Sequence, residues 1–356
     1  MSGVTDRMRR IETILLVTAA GFYFWFLAHF GLHEVLGYLR LAGWGLALTI
    51  SLESLARAAN TLGWRVTIEN YPPSLKPGEL FAARIAGEAV DYTTPSAQLG
   101  GQFVMALMVR RKLRMPVGLA TVVVAALTEA LGQIVFITAA LLISLRLLPS
   151  AERMYGPIMA GFALVVALVA GFFFVQTRRP FAHLWRAAAK FDVARINRYE
   201  IKESAEEADT LLIDFYARHR ARLLLSCLCY FFAWSLGPIE IYILLKLLHQ
   251  PASLQIALAV EAIGLLIERA TFLIPAKLVS QEGGKALILA ALGYPAGVGF
   301  AIGFLRRIKE MVWVLFGLIS LALHRVANGG ARVSEAAPAR RRDELEIQRL
   351  QGEQSL

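Results

Sequence analysis

Long apolar runs separated by short basic stretches dominate the chain. Runs at about 12–31, 43–65, 117–145, 156–176, 223–247 and 296–324 are each long enough for a helix to cross a bilayer, which takes roughly 20 apolar residues. They are too long and too evenly apolar to be the alternating strands of an outer-membrane barrel. The pattern therefore predicts an all-α polytopic membrane protein with about six full transmembrane helices. Two further segments, about 79–108 and 254–294, behave differently. Pro95 and Pro275 interrupt them, and proline both removes a backbone donor and clashes with the preceding turn. Both read as re-entrant helical hairpins. Backbone exposed at such a tip survives at membrane depth only where protein buries it or water reaches it, so the tips are expected to face an internal cavity.

The two interruptions correspond. Glu88–Gln102 reads EAVDYTTPSAQLGGQ and Glu268–Lys285 reads ERATFLIPAKLVSQEGGK. At an offset of 180 positions, Glu88 falls on Glu268, Pro95 on Pro275 and Gln102 on Glu282. Broken helices at matching places in two halves point to a transporter substrate site. Three full spans lie between the hairpins, an odd number, as an inverted repeat requires. The domain expected is 1–325, with halves of about 10–150 and 156–325.

Charge distribution fixes the orientation. The net charge of +10 sits mainly between spans, so it reads as topology and no nucleic-acid partner is expected. Basic residues cluster at Arg7–Arg10, at Arg110–Arg114, between Arg178 and Arg222, and after Arg325. The segments assigned to the other side hold only Arg40, Arg146, Arg153 and Lys246. Both termini are thus expected in the cytoplasm of a bacterium, with the chain in its inner membrane. The first run lacks a convincing cleavage pattern and reads as a retained span. Segment 178–222 reads either as an amphipathic helix on an anionic leaflet or as a solvated connector. Residues 326–356 read as a disordered basic tail.

Charges inside apolar spans cost several kcal/mol unless paired or hydrated, so they are the candidate functional groups. The first hairpin offers Arg84, Glu88, Asp91, Pro95, Gln98, Gly100, Gly101 and Gln102 as substrate-binding residues. Gly100-Gly101 would let backbone amides approach a ligand. The second offers Pro275, Gln281, Glu282, Gly283, Gly284 and Lys285, with Glu261 and Glu268 nearby. In the last span, Arg306 and Arg307, followed by Lys309 and Glu310, suit recognition of an anionic head group. Glu53, Arg57, Glu129 and Glu268 are candidate proton or ion relays, and Glu240 is a lesser one. Glu53–Arg57 and Arg84–Glu88 are each four apart and can pair along a helix face. For Glu53 and Arg57, an internal ion pair that makes the span tolerable in the bilayer accounts for the charges equally well.

Other chemistry is not suggested. Cys227 and Cys229 fall on different helix faces and read as packed thiols. The histidines lack metal-ligand spacing, and neither a phosphate-binding loop nor a nucleophile elbow occurs. No cofactor, metal or catalytic residue is expected, and the chain is not expected to be an enzyme.

At the hairpin residues the chain resembles the flippase-like family related to the transmembrane domain of lysylphosphatidylglycerol synthase. Within it, it looks closest to hopanoid-biosynthesis-associated membrane proteins. The resemblance rests on RIAGEAVDYTTPSAQLGGQ (84–102) and IPAKLVSQEGG (274–284) and spans roughly 10–325. It marks Glu88, Pro95, Gly100, Gly101, Pro275 and Glu282, and Arg307 in the last span. Asp91 stands where the family more usually has asparagine, and Lys277-Leu278-Val279 replaces a glycine-containing turn. The resemblance implies a lipid flippase or transporter. Its ligand would be a polar or anionic head group, and its partners membrane lipids and lipid-synthesis enzymes. An intramembrane lipid-modifying enzyme and a non-transporting membrane partner are the alternatives.

Overall fold

The computed structural model describes residues 43–94, 99–144, 152–176, 178–183, 186, 198–270 and 280–353. Among them every regular element is a helix. The span expected at 12–31 and the tips carrying Pro95 and Pro275 lie outside the described residues.

Helix α1 covers Gly45–Thr67. Helices α2 (Pro77–Thr93) and α3 (Leu99–Val109) flank the first proline segment. Helix α4 covers Met115–Ser144 and α5 Glu152–Gln176. Helix α6 (Arg198–Arg218) precedes α7 (Arg220–Leu247). Helices α8 (Leu254–Ala270) and α9 (Ser280–Ala291) flank the second proline segment, and α10 covers Ala296–Glu353.

Among the described residues, four stretches are long and apolar enough to cross a membrane: Met115–Ser144, Ile158–Gln176, Arg220–Leu247 and Gly297–Ala327. Helix α1 is long but falls outside this set, because Glu53, Arg57 and Arg65 lower its hydropathy. At 1.5 Å per residue, α3 and α9 extend only about 16–18 Å, well short of a hydrocarbon core. Each packs against the helix before its break, α3 on α2 and α9 on α8.

The packing of the two halves corresponds. Helix α2 packs on α10, and its counterpart α8 packs on α4. The short arms follow suit, α3 on α4 and α9 on α10, and α1 packs on α7. One apolar core runs through α4, α7, α8 and α10, including Phe136, Ile241, Val260 and Leu305. A second joins α1, α2, α3 and α4, including Trp64, Leu80, Val104 and Val122.

Glycines set the closest approaches. A Cβ on Gly101 would collide with the Asp91 carboxylate and the Gly87 carbonyl oxygen. Gly101 therefore brings the backbones of α2 and α3 into direct contact. A Cβ on Gly317 would likewise strike the carbonyl oxygen of Ile85, so α10 and α2 touch backbone to backbone.

The acidic helix α6 is separate from α7: it stops at Arg218, and α7 starts after His219, whose backbone is non-helical. Arg114 pairs with Glu207 at 2.8 Å, and Arg222 donates to the Ile68 carbonyl at 3.0 Å. These contacts hold the turn beside the α3–α4 link and the end of α1. In addition, α10 continues as helix to Glu353 across the stretch expected to be disordered. Ala, Arg, Glu and Gln in that stretch favour helix, whereas Gly329-Gly330 and Pro338 oppose it.

Candidate functional site

The apolar spacing of each helix leaves its charges no polar neighbour in sequence beyond the next turn. They must therefore be satisfied across helices. Glu53 and Arg57, one turn apart on α1, pair at 3.1 Å, and Arg84 and Glu88 on α2 pair at 2.6 Å. Both contacts follow the spacing expected from sequence. Tertiary packing then links them.

Arg84 is buried and reaches Glu129 of α4 at 2.8 Å. It also donates to the Tyr230 hydroxyl at 3.2 Å. Glu88 contacts Arg57 as well as Arg84. Glu53 accepts from Lys309 of α10 at 2.9 Å, and Lys309 reaches Glu240 of α7 at 2.6 Å. Arg306 places Nε 3.0 Å from Glu240 and grips Glu261 of α8 with both terminal nitrogens, at 2.6 and 3.0 Å. The contact with Glu240 is an ion pair without hydrogen-bond alignment, whereas the grip on Glu261 is bidentate.

The result is one unbroken chain of alternating charge: Glu129, Arg84, Glu88, Arg57, Glu53, Lys309, Glu240, Arg306, Glu261. It draws on α1, α2 and α4 from one half and α7, α8 and α10 from the other. Glu129 and Lys309 stand at corresponding positions of the two halves (309 − 129 = 180) with opposite charge.

Backbone features make room for it. Gly237 and Pro238 fall inside α7 just before Glu240. A Cβ on Gly237 would lie 2.5 Å from the Glu261 carboxylate, so glycine permits that carboxylate to approach α7. Lys285 of α9 is buried, 3.6 Å from Glu268. Arg57 also stacks 4.9 Å from the ring centroid of Trp313.

Several sequence candidates take other places. The Asp91 carboxylate accepts the Gly101 backbone N–H at 2.7 Å. It thus clips α3 to α2, and that amide is turned to Asp91 instead of lying open to a ligand. Gly100 and Gln102 occupy the first turn of α3, and Gly283 and Gly284 the first turns of α9. Gln281 and Glu282 belong to the start of α9 by backbone. Pro95, Gln98 and Pro275 lie outside the described residues. Arg306 and Arg307, expected to act together, diverge because neighbours on a helix point about 100° apart. Arg307 is fully buried and its guanidinium lies 3.5 Å from the Tyr92 hydroxyl, while Arg306 takes Glu240 and Glu261.

Tyr230 is the group that sequence reasoning misses. It lies in an aromatic, apolar stretch of α7 with nothing to separate it from packing residues. Cys227 and Cys229 are free thiols.

The model of the family described as the lysylphosphatidylglycerol synthase TM region matches residues 13–318. The chain belongs to this family. Its membership agrees with the apolar helices, and it connects this membrane protein to lipid metabolism. No curated protein and no solved structure matches the chain. The family match covers α1 through most of the apolar part of α10, and so contains every member of the charge chain.

Proposed function

We propose that this member of the lysylphosphatidylglycerol synthase TM family is a lipid translocase. It passes a polar or anionic head group between its two halves while the acyl tails stay in the bilayer. The observation that carries this reading is the alternating charge chain.

Stability alone does not account for it. Buried ion pairs are often no better than apolar packing of the same volume, because desolvation offsets the attraction. Charges at membrane depth are still more expensive. A chain of such pairs spanning both halves has a different use: it can exchange partners. An anionic head group can replace Glu88 at Arg57 and Arg84, or Glu261 at Arg306. A cationic one can replace Lys309 at Glu53 and Glu240. Each exchange keeps the groups that receive the head group paired, and the exchange at Lys309 also opens the Glu53–Lys309 contact, through which the charge chain passes from one half to the other. The corresponding packing of α2 on α10 and α8 on α4 supports an inverted repeat in which α2–α3 and α8–α9 are re-entrant hairpins. Rocking of one half against the other is then the expected motion. A link to hopanoid or modified-phospholipid metabolism, and a bacterial inner membrane with cytoplasmic termini, belong to the same proposal.

Reconstitution tests it. Vesicles containing the purified chain and head-group-labelled reporters of anionic, zwitterionic and cationic type should expose inner-leaflet reporter to an external quencher faster than empty vesicles. Equal rates for every reporter would defeat the reading. A chemically altered lipid in the same vesicles would favour an enzyme instead.

A further inference from the structure

We propose that the lateral groove between α2 and α10 is a binding site for a single anionic glycerophospholipid, distinct from the charge chain. One acyl chain would lie along the groove, with the phosphate at Arg111. The groove encloses about 660 Å³, within the roughly 300–1,000 Å³ range of small-molecule sites.

Its two ends differ in chemistry. The walls along most of its length are apolar, formed by Phe81, Ile85, Trp313, Phe316, Ile319 and Leu323. The floor is rigid, because Gly317 brings α10 onto the Ile85 carbonyl and the Ser320 hydroxyl donates to the Ala82 carbonyl at 3.1 Å. At the mouth, Phe316, Ile319 and Leu323 are 47%, 44% and 65% exposed. On an apolar membrane helix such side chains face lipid.

The other end is basic. Arg111, Lys112 and His324 line it together with Glu79. Glu79 is already engaged, since Lys112 donates to both of its carboxylate oxygens at 2.6 and 2.7 Å and to the Ser74 carbonyl at 2.7 Å. Arg111 is exposed and makes no ion pair with a carboxylate among the described residues. His324 lies within electrostatic range of Arg110 and Arg111. An apolar slot ending in surplus positive charge selects an amphipath with an anionic head over a zwitterionic one.

The groove also reaches the charge chain. Trp313 lines it, is buried, and carries Arg57 against its ring at 4.9 Å. The indole N–H has no hydrogen-bond acceptor among the described residues. A lipid held here would stand beside Arg57. Its use as an entry step rests on the translocase reading, whereas the binding site does not.

Tryptophan quenching tests the site. The full chain is reconstituted in phosphatidylcholine vesicles containing either bromo-acyl phosphatidylglycerol or bromo-acyl phosphatidylcholine at equal mole fraction. The Trp313 signal is the difference between wild type and Trp313→Phe. Each surface basic residue contributes about 1 kcal/mol of attraction for an anionic lipid, or roughly a fivefold preference. Trp313 should therefore be quenched several-fold more effectively by the phosphatidylglycerol, and Arg111→Gln should bring the ratio close to one. A fluorophore on Leu323→Cys gives the same ratio independently if Trp313→Phe does not fold. Equal quenching by both lipids in the wild type would mean ordinary boundary lipid and overturn the proposal. Absence of Trp313 quenching by either lipid would mean that another part of the chain covers the groove, and would also overturn it. If the preference appears but reporter lipids do not cross the bilayer, the site stands and the translocase reading fails.

Discussion

Arg306 of α10 holds Glu261 of α8 through two guanidinium nitrogens, 2.6 and 3.0 Å from the carboxylate oxygens, with both side chains almost wholly shielded. Removing Glu261 leaves the buried Arg306 with only the unaligned contact to Glu240, and breaking a buried pair costs about 3–5 kcal/mol. Glu261→Gln should therefore lower the thermal stability of the detergent-solubilised protein sharply. The double change Glu261→Gln with Arg306→Gln should recover part of that loss. Equal destabilisation by the single and double variants would show that the pair is not coupled.

The contact between α2 and α3 makes a second, steric prediction. Gly101→Ala sets a methyl group against the Gly87 carbonyl and the Asp91 carboxylate, and overpacking of this kind costs about 1–3 kcal/mol. At Gly118 of α4 the nearest atoms to an added Cβ lie at 3.5 Å, an ordinary contact. Gly118→Ala should thus melt close to wild type, and Gly101→Ala well below it. Melting curves for the two variants side by side provide the check.

Tyr230 makes a third. Its hydroxyl accepts from Arg84, and a hydrogen bond to a charged group contributes about 1.5–3 kcal/mol. Tyr230→Phe should destabilise the chain by an amount in that range while keeping the ring under the guanidinium. Chemical unfolding of the two proteins would measure it.

Much of this arrangement was legible in the sequence. Glu53, Arg57, Arg84, Glu88, Glu129 and Arg306 stand out because charge inside an apolar run is costly, and the two same-helix pairs follow from spacing four. What spacing could not provide is the register of one helix against another. Lys309 meets Glu53 across 256 positions, a contact fixed only by how α10 passes α1. Glu240 looked minor because nothing local marks Arg306 as its partner. Asp91 and the Gly101 amide looked like ligand groups, yet each satisfies the other, since helices joined by so short a link pack close enough for a side chain to reach a backbone amide.

Asp209 makes a fourth prediction, away from the membrane spans. Its carboxylate accepts the backbone N–H groups of Phe181 and Ala182, at 3.0 and 2.9 Å. It caps the helical turn that begins at Pro180, a role worth about 1 kcal/mol. Asp209→Ala should accelerate hydrogen exchange at those two amides and leave exchange in α4 unchanged.

The central claim is that the charge chain yields to a lipid head group. Glu88 is the member to change, because it bridges Arg57 and Arg84 while remaining a quarter exposed. The decisive measurement compares reporter-lipid flipping by wild-type and Glu88→Gln vesicles carrying equal amounts of monodisperse protein. Wild type should flip at least one reporter class, and Glu88→Gln should slow it by about tenfold, the equivalent of roughly 1.4 kcal/mol in the barrier. Flipping that is brisk in both proteins alike would contradict the account.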